Sequence, residues 1–339
     1  MTKKNRILFL VTTLLFLLGA AMTLLIFKMP NSKGRPYSLH IPKGATYEQL
    51  LDSLAHHNVL KNQLTFKITA TCLKYKTIHP GKYIIKPGEN NLSLVRLLRR
   101  GQHYPVKITL NNIRIKQQLL DKIGCKFLFD INDLDSLLCD ETFLAAYHLT
   151  PENAISAFLP DSYEFYFDIT AKEFFEKMYS YYEQYWNEQR QARAQEIGLT
   201  PMEAITLAAI VEEENFMAEE KAIIAGLYMN RLKKGMKLQS DPTVKYAVGD
   251  FTLKRILYEH LEIDSPYNTY KYAGLPPAPI RIPEKSTIDS VLYYAHHNYL
   301  YMCAKEDFSG RHNFATTHAE HSRNAKKYHQ ALNARNIRK

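Results

Sequence analysis

Residues 7–27 form an unbroken run without a single charged side chain, and no other feature constrains the fold of this chain as much. At about 1.5 Å per residue, a helix of that length spans the ~30 Å hydrocarbon core of a bilayer. The run is therefore expected to be a membrane anchor. A cleaved signal peptide is the competing reading, because Gly19, Ala20 and Ala21 offer small residues, but the apolar stretch continues past them to Phe27. Lys3, Lys4 and Arg6 precede the run, and Lys28 and Lys33 follow it. That balance leaves the N-terminus cytoplasmic and the rest of the chain outside, as a single-pass protein of the cell (inner) membrane.

Location decides how the composition is read. The 339 residues, 46% hydrophobic and 23% charged, suit two or three compact units. A formal charge of +10 favours polyanionic surroundings such as a membrane face, a cell-wall polymer or nucleic acid. An extracytoplasmic position argues against nucleic acid and for the cell wall. Cys72, Cys125, Cys139 and Cys303 show neither CxxC nor metal-ligand spacing, so no cofactor is expected; a Cys125–Cys139 disulfide and buried free thiols both fit them.

The pattern predicts an α+β chain: a cytoplasmic tail (1–6), the membrane helix (7–27), a linker (28–36), a small α/β unit (37–103) and a larger mixed α/β domain (104–339). "PNSKGRP", residues 30–36, reads as linker from its Pro, Asn, Ser and Gly. In the small unit, "YSLHIP" alternates like a strand, and Thr46 to Gln49 has the capping-box spacing of a helix start. A second helix from about residue 63, a strand in "GKYIIKP" and a helix in "NNLSLVRLLRRG" complete it. This order resembles a LysM-like glycan-binding module; a plain spacer is the alternative role. Further on, one long helix is expected from Ala171 to Gly198, with Phe174, Phe175, Met178, Tyr181, Tyr182, Tyr185 and Trp186 as a core stripe.

"LAAIVEEEN", residues 207–215, sets three glutamates behind an apolar stretch. Thr200, Pro201 and Glu203 mark the helix start. At 100° per residue, Glu212 falls inside the apolar arc, whereas Glu213 and Glu214 fall at its edges, solvated or on a groove rim. Burial among apolar groups raises a carboxyl pKa, which suits a general acid. An ion pair between Glu212 and an arginine such as Arg231 or Arg255 is the alternative.

That stretch, "LYMNRLKKGMKLQSDPTVKYAVG", "SPYNTYKYAGLPPAPI", "RHNFATTHAEH" and "FLPDSY" together resemble, in order and spacing, the MltG/YceG-like family of endolytic murein transglycosylases. The resemblance implies cleavage of the bond between N-acetylmuramic acid and N-acetylglucosamine in peptidoglycan strands, leaving 1,6-anhydro ends. It places the family's glutamate, the first of an IVE-x-E motif, on Glu212. It implies a substrate groove drawing on Gln239, Ser240 and Asp241 in a turn before Pro242, on Tyr267, Asn268, Thr269 and Tyr270, and on His312, Phe314, Thr317 and His321. Asp161 of "FLPDSY" is a further candidate. His312 and His321 are nine apart with no third ligand at metal spacing, so no metal is expected. Peptidoglycan synthases of the elongation machinery are implied partners. A non-catalytic peptidoglycan-binding scaffold and a lysozyme-type muramidase are the rival readings.

Overall fold

The apolar run forms one helix, α1 (Lys3–Phe27), in a computed structural model that describes residues 3–101, 105–215, 217–253 and 255–335. Its large apolar side chains, among them Phe9, Leu14, Phe16 and Leu24, stand exposed. Its threonine hydroxyls turn back on the helix, Thr13 to Phe9 O and Thr23 to Gly19 O, both at 2.8 Å. Length and composition are sufficient to cross a membrane. The remaining chain is mostly helical, with small two-stranded sheets.

Contacts divide the chain into two units, the first comprising residues 1–107 with 125–130 and 164–170, the second the remainder. Five elements build the first: β1 (Tyr37–Ile41), α2 (Tyr47–His56), α3 (Gln63–Cys72), β2 (Gly81–Ile85) and α4 (Asn91–Arg100). Thr46 and Gln49 close the expected capping box on α2, and Gly101 ends α4 in the left-handed conformation. β1 and β2 pair antiparallel, with Leu39 opposite Tyr83, and turn their buried faces onto Leu50, Leu54, Phe66 and Leu94. The predicted linker differs from expectation: it is folded onto this unit. Asn31 and Ser32 donate backbone N–H bonds to Glu89 O, Lys33 donates to Val59 O, and the Asn31 amide bonds Asn91 Oδ1 at 2.6 Å. Polar residues that read as flexible serve as hydrogen-bonding partners for the ends of the neighbouring elements.

β3 (Val106–Leu110), paired with β4 (Asp161–Phe165), has residues in both units, and the second unit continues with three short helices, α5 (Lys116–Ile123), α6 (Ile131–Cys139) and α7 (Glu141–Ala145). The expected long helix is two: α8 (Ala171–Tyr185) and α9 (Glu188–Glu196). Asn187 causes the break, because its side chain caps α9 through the Arg190 N–H. The aromatic stripe is core, with Phe174, Phe175, Met178 and Trp186 at 2% exposure or less. All four cysteines are free thiols, and Cys125 and Cys139 are exposed rather than buried.

α10 (Pro201–Glu214) begins with the predicted Thr200–Glu203 capping box and runs through the centre of this unit. Every residue from Ala204 to Glu212 is buried. It packs against α9, α11 (Ala218–Lys233), α12 (Asp241–Val248) and, after the short α13 (Tyr258–Leu261), α14 (Lys285–Leu292). β5 (Tyr301–Ala304) and β6 (His312–Ala315) pair antiparallel before α15 (His318–Ala334). The segment leading into β5 lies along α11: Asn230 donates to His297 O and Tyr299 O, and Arg231 to Leu300 O. Gly226 permits that approach, since a Cβ there would lie 2.2 Å from Ala295 O. Gly226→Ala should lower stability by about 1–3 kcal/mol in chemical unfolding, the usual cost of overpacking a close contact; an unchanged midpoint would show that this segment yields freely.

Candidate active site

The last turn of α10 carries the three glutamates into three different environments. Glu212 is buried at 4% exposure and fully engaged. Its Oε1 meets Arg281 Nη2 at 3.1 Å; its Oε2 accepts from Glu284 N–H at 2.8 Å and Thr287 Oγ1 at 2.6 Å, with Lys221 Nζ at 3.7 Å. Glu213 is clamped by two guanidinium groups, Arg114 through both carboxylate oxygens and Arg281 at 2.7 Å. Glu214 has no ion-pair partner among the described residues. Two hydroxyls, Tyr228 at 2.6 Å and Ser240 at 2.5 Å, both donate to its Oε1. Among the described residues, none bonds its Oε2.

These surroundings set the protonation of Glu214. Burial pushes its carboxyl above the ordinary range and Asp241 adds to the rise, while the Ser240 and Tyr228 hydrogen bonds and nearby His312 oppose it without cancelling it. Tyr228 is itself driven far upward by burial beside this carboxyl, so it remains a hydroxyl donor. With both donors on Oε1, Oε2 is the oxygen that would carry a proton whenever the carboxyl is protonated.

Glu214 borders two adjoining cavities, and Glu212 borders neither. The larger, roughly 700 Å³, is lined by Glu213, Glu214, Asp241, Lys245, Arg255 and His329 among others. The smaller, roughly 250 Å³, is lined by Glu214, Tyr228, Gln239, Asp241, Tyr270 and His312 among others. Thus Gln239, Asp241, Tyr270 and His312, expected from the sequence, gather around Glu214, and Ser240 touches it directly. Asp241 opens α12 rather than lying in a free turn, with Ser240 at the N-cap position. Its Oδ1 accepts from Tyr270 Oη at 2.6 Å. Gln239 takes a left-handed φ of 51° at the cavity wall.

Other expected residues act behind the wall. Thr269 Oγ1 accepts the Ser240 N–H at 3.0 Å, and buried Asn268 ties Leu261 O and Ile263 O. Tyr267 packs on Tyr246 at 4.8 Å, burial pushing its hydroxyl to about 12. Phe314 stacks on Tyr299, Thr317 caps α15, and His321 stacks on Tyr301 with burial lowering its pKa. Asp161 pairs with Lys285 at 2.6 Å, which holds its carboxyl below the usual range, and lines neither cavity. Arg231 reaches the Leu300 and Leu238 carbonyls rather than Glu212.

The sequence reading missed Tyr228, Glu220 and Asn215. Glu220 Oε1 accepts the His312 N–H at 3.0 Å, and its Oε2 lies 2.9 Å from His312 Nδ1 and 2.6 Å from Asn215 Nδ2. A carboxylate on Nδ1 fixes the ring and leaves Nε2 free. Glu220 follows Glu214 by six residues across a helix break, a spacing with no recognisable period.

A profile of the YceG-like family matches residues 39–327. The chain belongs to the YceG-like family. It is similar to an endolytic murein transglycosylase of Bacillus subtilis, 28% identical over 316 residues that cover 87% of this chain and 86% of the relative. A protein of the same name from Streptococcus pneumoniae is 26% identical over 326 residues, and the match spans 58% of that longer chain. The crystal structure of a YceG-like protein from Listeria monocytogenes superimposes with a TM-score of 0.56 at 26% identity, covering 85% of this chain and 98% of that one.

In this YceG-like chain, Arg281 joins Glu212 and Glu213 in a buried network. Arg281→Ala should cost about 3–5 kcal/mol in unfolding free energy, because it strands a buried carboxylate. A loss of only a few tenths, measured by denaturant titration, would mean that Glu212 is satisfied without it.

Proposed function

We propose that this protein is a peptidoglycan lytic transglycosylase whose single acid and base is Glu214, rather than Glu212 as the motif reading of the sequence had it. The observation that carries the choice is the contrast along one helix turn. Glu212 and Glu213 are tied to arginines, while Glu214 has no ion-pair partner among the described residues, is raised in pKa, and lines a cavity. Environments that push neighbouring carboxyls apart are the usual mark of an acid–base assignment.

In the forward step, Glu214 Oε2 protonates the oxygen that joins N-acetylmuramic acid to N-acetylglucosamine, and that bond breaks. The carboxylate so formed is stabilised by the Tyr228 and Ser240 hydroxyls. It then takes the proton from the muramyl 6-hydroxyl as that oxygen bonds to C1. The ring closes as a 1,6-anhydro sugar, no water is consumed, and Glu214 is again protonated. Asp241, Gln239 and Tyr270 offer hydrogen bonds to sugar hydroxyls and acetamido groups, with His312 Nε2 beside them.

The family relationship supports peptidoglycan as substrate. Residue 26 supports an uncleaved anchor, since the Ile26 carbonyl accepts from Asn91 Nδ2 at 2.8 Å and the end of α1 is thereby part of the folded unit. An anchored enzyme would act where nascent strands leave their synthases and so would end strand growth.

Mass spectrometry of digested peptidoglycan tests the assignment. Native protein and Glu212→Gln protein that remains folded should both leave anhydro ends, whereas Glu214→Gln should leave none at an unchanged or higher melting temperature. Retained cleavage by Glu214→Gln, or its loss with Glu212→Gln alone, contradicts the choice. Reducing ends would indicate a hydrolase, with Asp241 as the second carboxylate.

The pH profile gives a further check. The first step needs protonated Glu214, so kcat/KM should fall as pH rises through its raised pKa, above the ordinary glutamate range. The Tyr228 hydrogen bond lowers that pKa, so Tyr228→Phe should move the falling limb to higher pH. A limb that stays in place or moves down would separate Tyr228 from the titrating group.

A further inference from the structure

The charge of this chain is unevenly placed. Residues 28–107 carry 14 Lys and Arg against 3 Asp and Glu, whereas residues 108–339 carry 27 against 31. The net +10 is thus concentrated in the stretch that directly follows α1 and in Lys3, Lys4 and Arg6 before it. The stretch is also fixed to the helix end. Thr69 of α3 and Asn91 of α4 both donate to Ile26 O, and the Asn31 to Lys33 backbone is bonded into the unit.

Two surfaces lie beside that attachment. On α3, Leu64 is 66% exposed and Ile68, one turn on, is 36% exposed, while Met29 at the end of α1 is 52% exposed. Exposed Lys28, Lys61 and Lys67 flank them. The same unit holds a cavity of roughly 630 Å³ lined by Lys33, Arg35, Tyr37, His57 and Asn58 among others. Tyr37 and His57 rings lie 5.3 Å apart, and the Lys33 ammonium donates to Asn58 Oδ1. The Arg35 side chain has no ion-pair partner among the described residues.

We propose that this unit docks on the anionic phospholipid surface of the membrane that α1 crosses. Leu64, Ile68 and Met29 enter the interface, and the Arg35 cavity takes a lipid phosphate headgroup. The proposal rests on the reading of α1 as a membrane anchor. Exposed apolar side chains with lysines near them in sequence suit an interfacial surface. An anionic leaflet attracts basic residues within a Debye length of it, and a guanidinium fork matches phosphate oxygens.

Hydrogen exchange on the full chain in nanodiscs tests it, comparing phosphatidylcholine alone with phosphatidylcholine mixed with phosphatidylglycerol. Incorporation into either disc checks the anchor separately. Amides of residues 32–37 and 61–68 should exchange several-fold more slowly with phosphatidylglycerol. High salt should reverse the effect, and so should Lys33→Glu with Arg35→Glu, while Lys326→Glu leaves it in place. Native-like protection at Leu39 and Tyr83 shows that the double variant is folded. Equal exchange in both discs overturns the proposal. So does protection in phosphatidylcholine discs conferred by inorganic phosphate or by soluble glycan strands.

Discussion

The pairing of Arg281 with Glu212 and Glu213 is the interaction on which the rest of the site depends. Three consecutive carboxylates at the end of a buried helix repel one another and lose hydration together. Arg281, with Arg114 and Lys221, compensates the first two. The third is left to two hydroxyls. A hydroxyl stabilises a carboxylate less than a guanidinium does, so the Glu214 carboxyl is held above the ordinary range, and the charge arrangement that secures the helix end also sets apart the glutamate proposed as the acid. The same backbone turn then delivers Asn215 to Glu220, and Glu220 to His312, so part of the wall of the cavity that Glu214 lines is set by residues of the same helix junction.

Much of the fold was legible because it follows local rules. The Thr46 and Thr200 capping boxes, the left-handed Gly101 and the alternation of β1 each depend on a few neighbouring residues. What escaped depends on partners distant in sequence. Asn187 ends a helix that the aromatic period carries straight through. Residues 30–36 have a linker's composition, yet their polar groups answer those of residues 58–62 and 86–91.

The site was legible in part for a related reason. Gln239, Ser240, Asp241, Tyr270 and His312 do converge, and motif spacing found them. The choice of Glu212 among the glutamates rested on the family motif and on a helix with one apolar arc and one wet face. α10 is instead covered on every side as far as Glu212, so a place in the arc signals core, and the groove is met only at the helix end. Arg281, 69 residues downstream of Glu212, is the partner that sets Glu212 apart from Glu214, and no local pattern links Arg281 to Glu212.

The most direct measurement is a pH titration of protonated carboxyl groups by infrared difference spectroscopy on native, Glu214→Gln and Glu212→Gln proteins. The account predicts a protonated-carboxyl band that persists above the ordinary glutamate range, disappears in Glu214→Gln and survives in Glu212→Gln. A band retained in Glu214→Gln and lost in Glu212→Gln would contradict it.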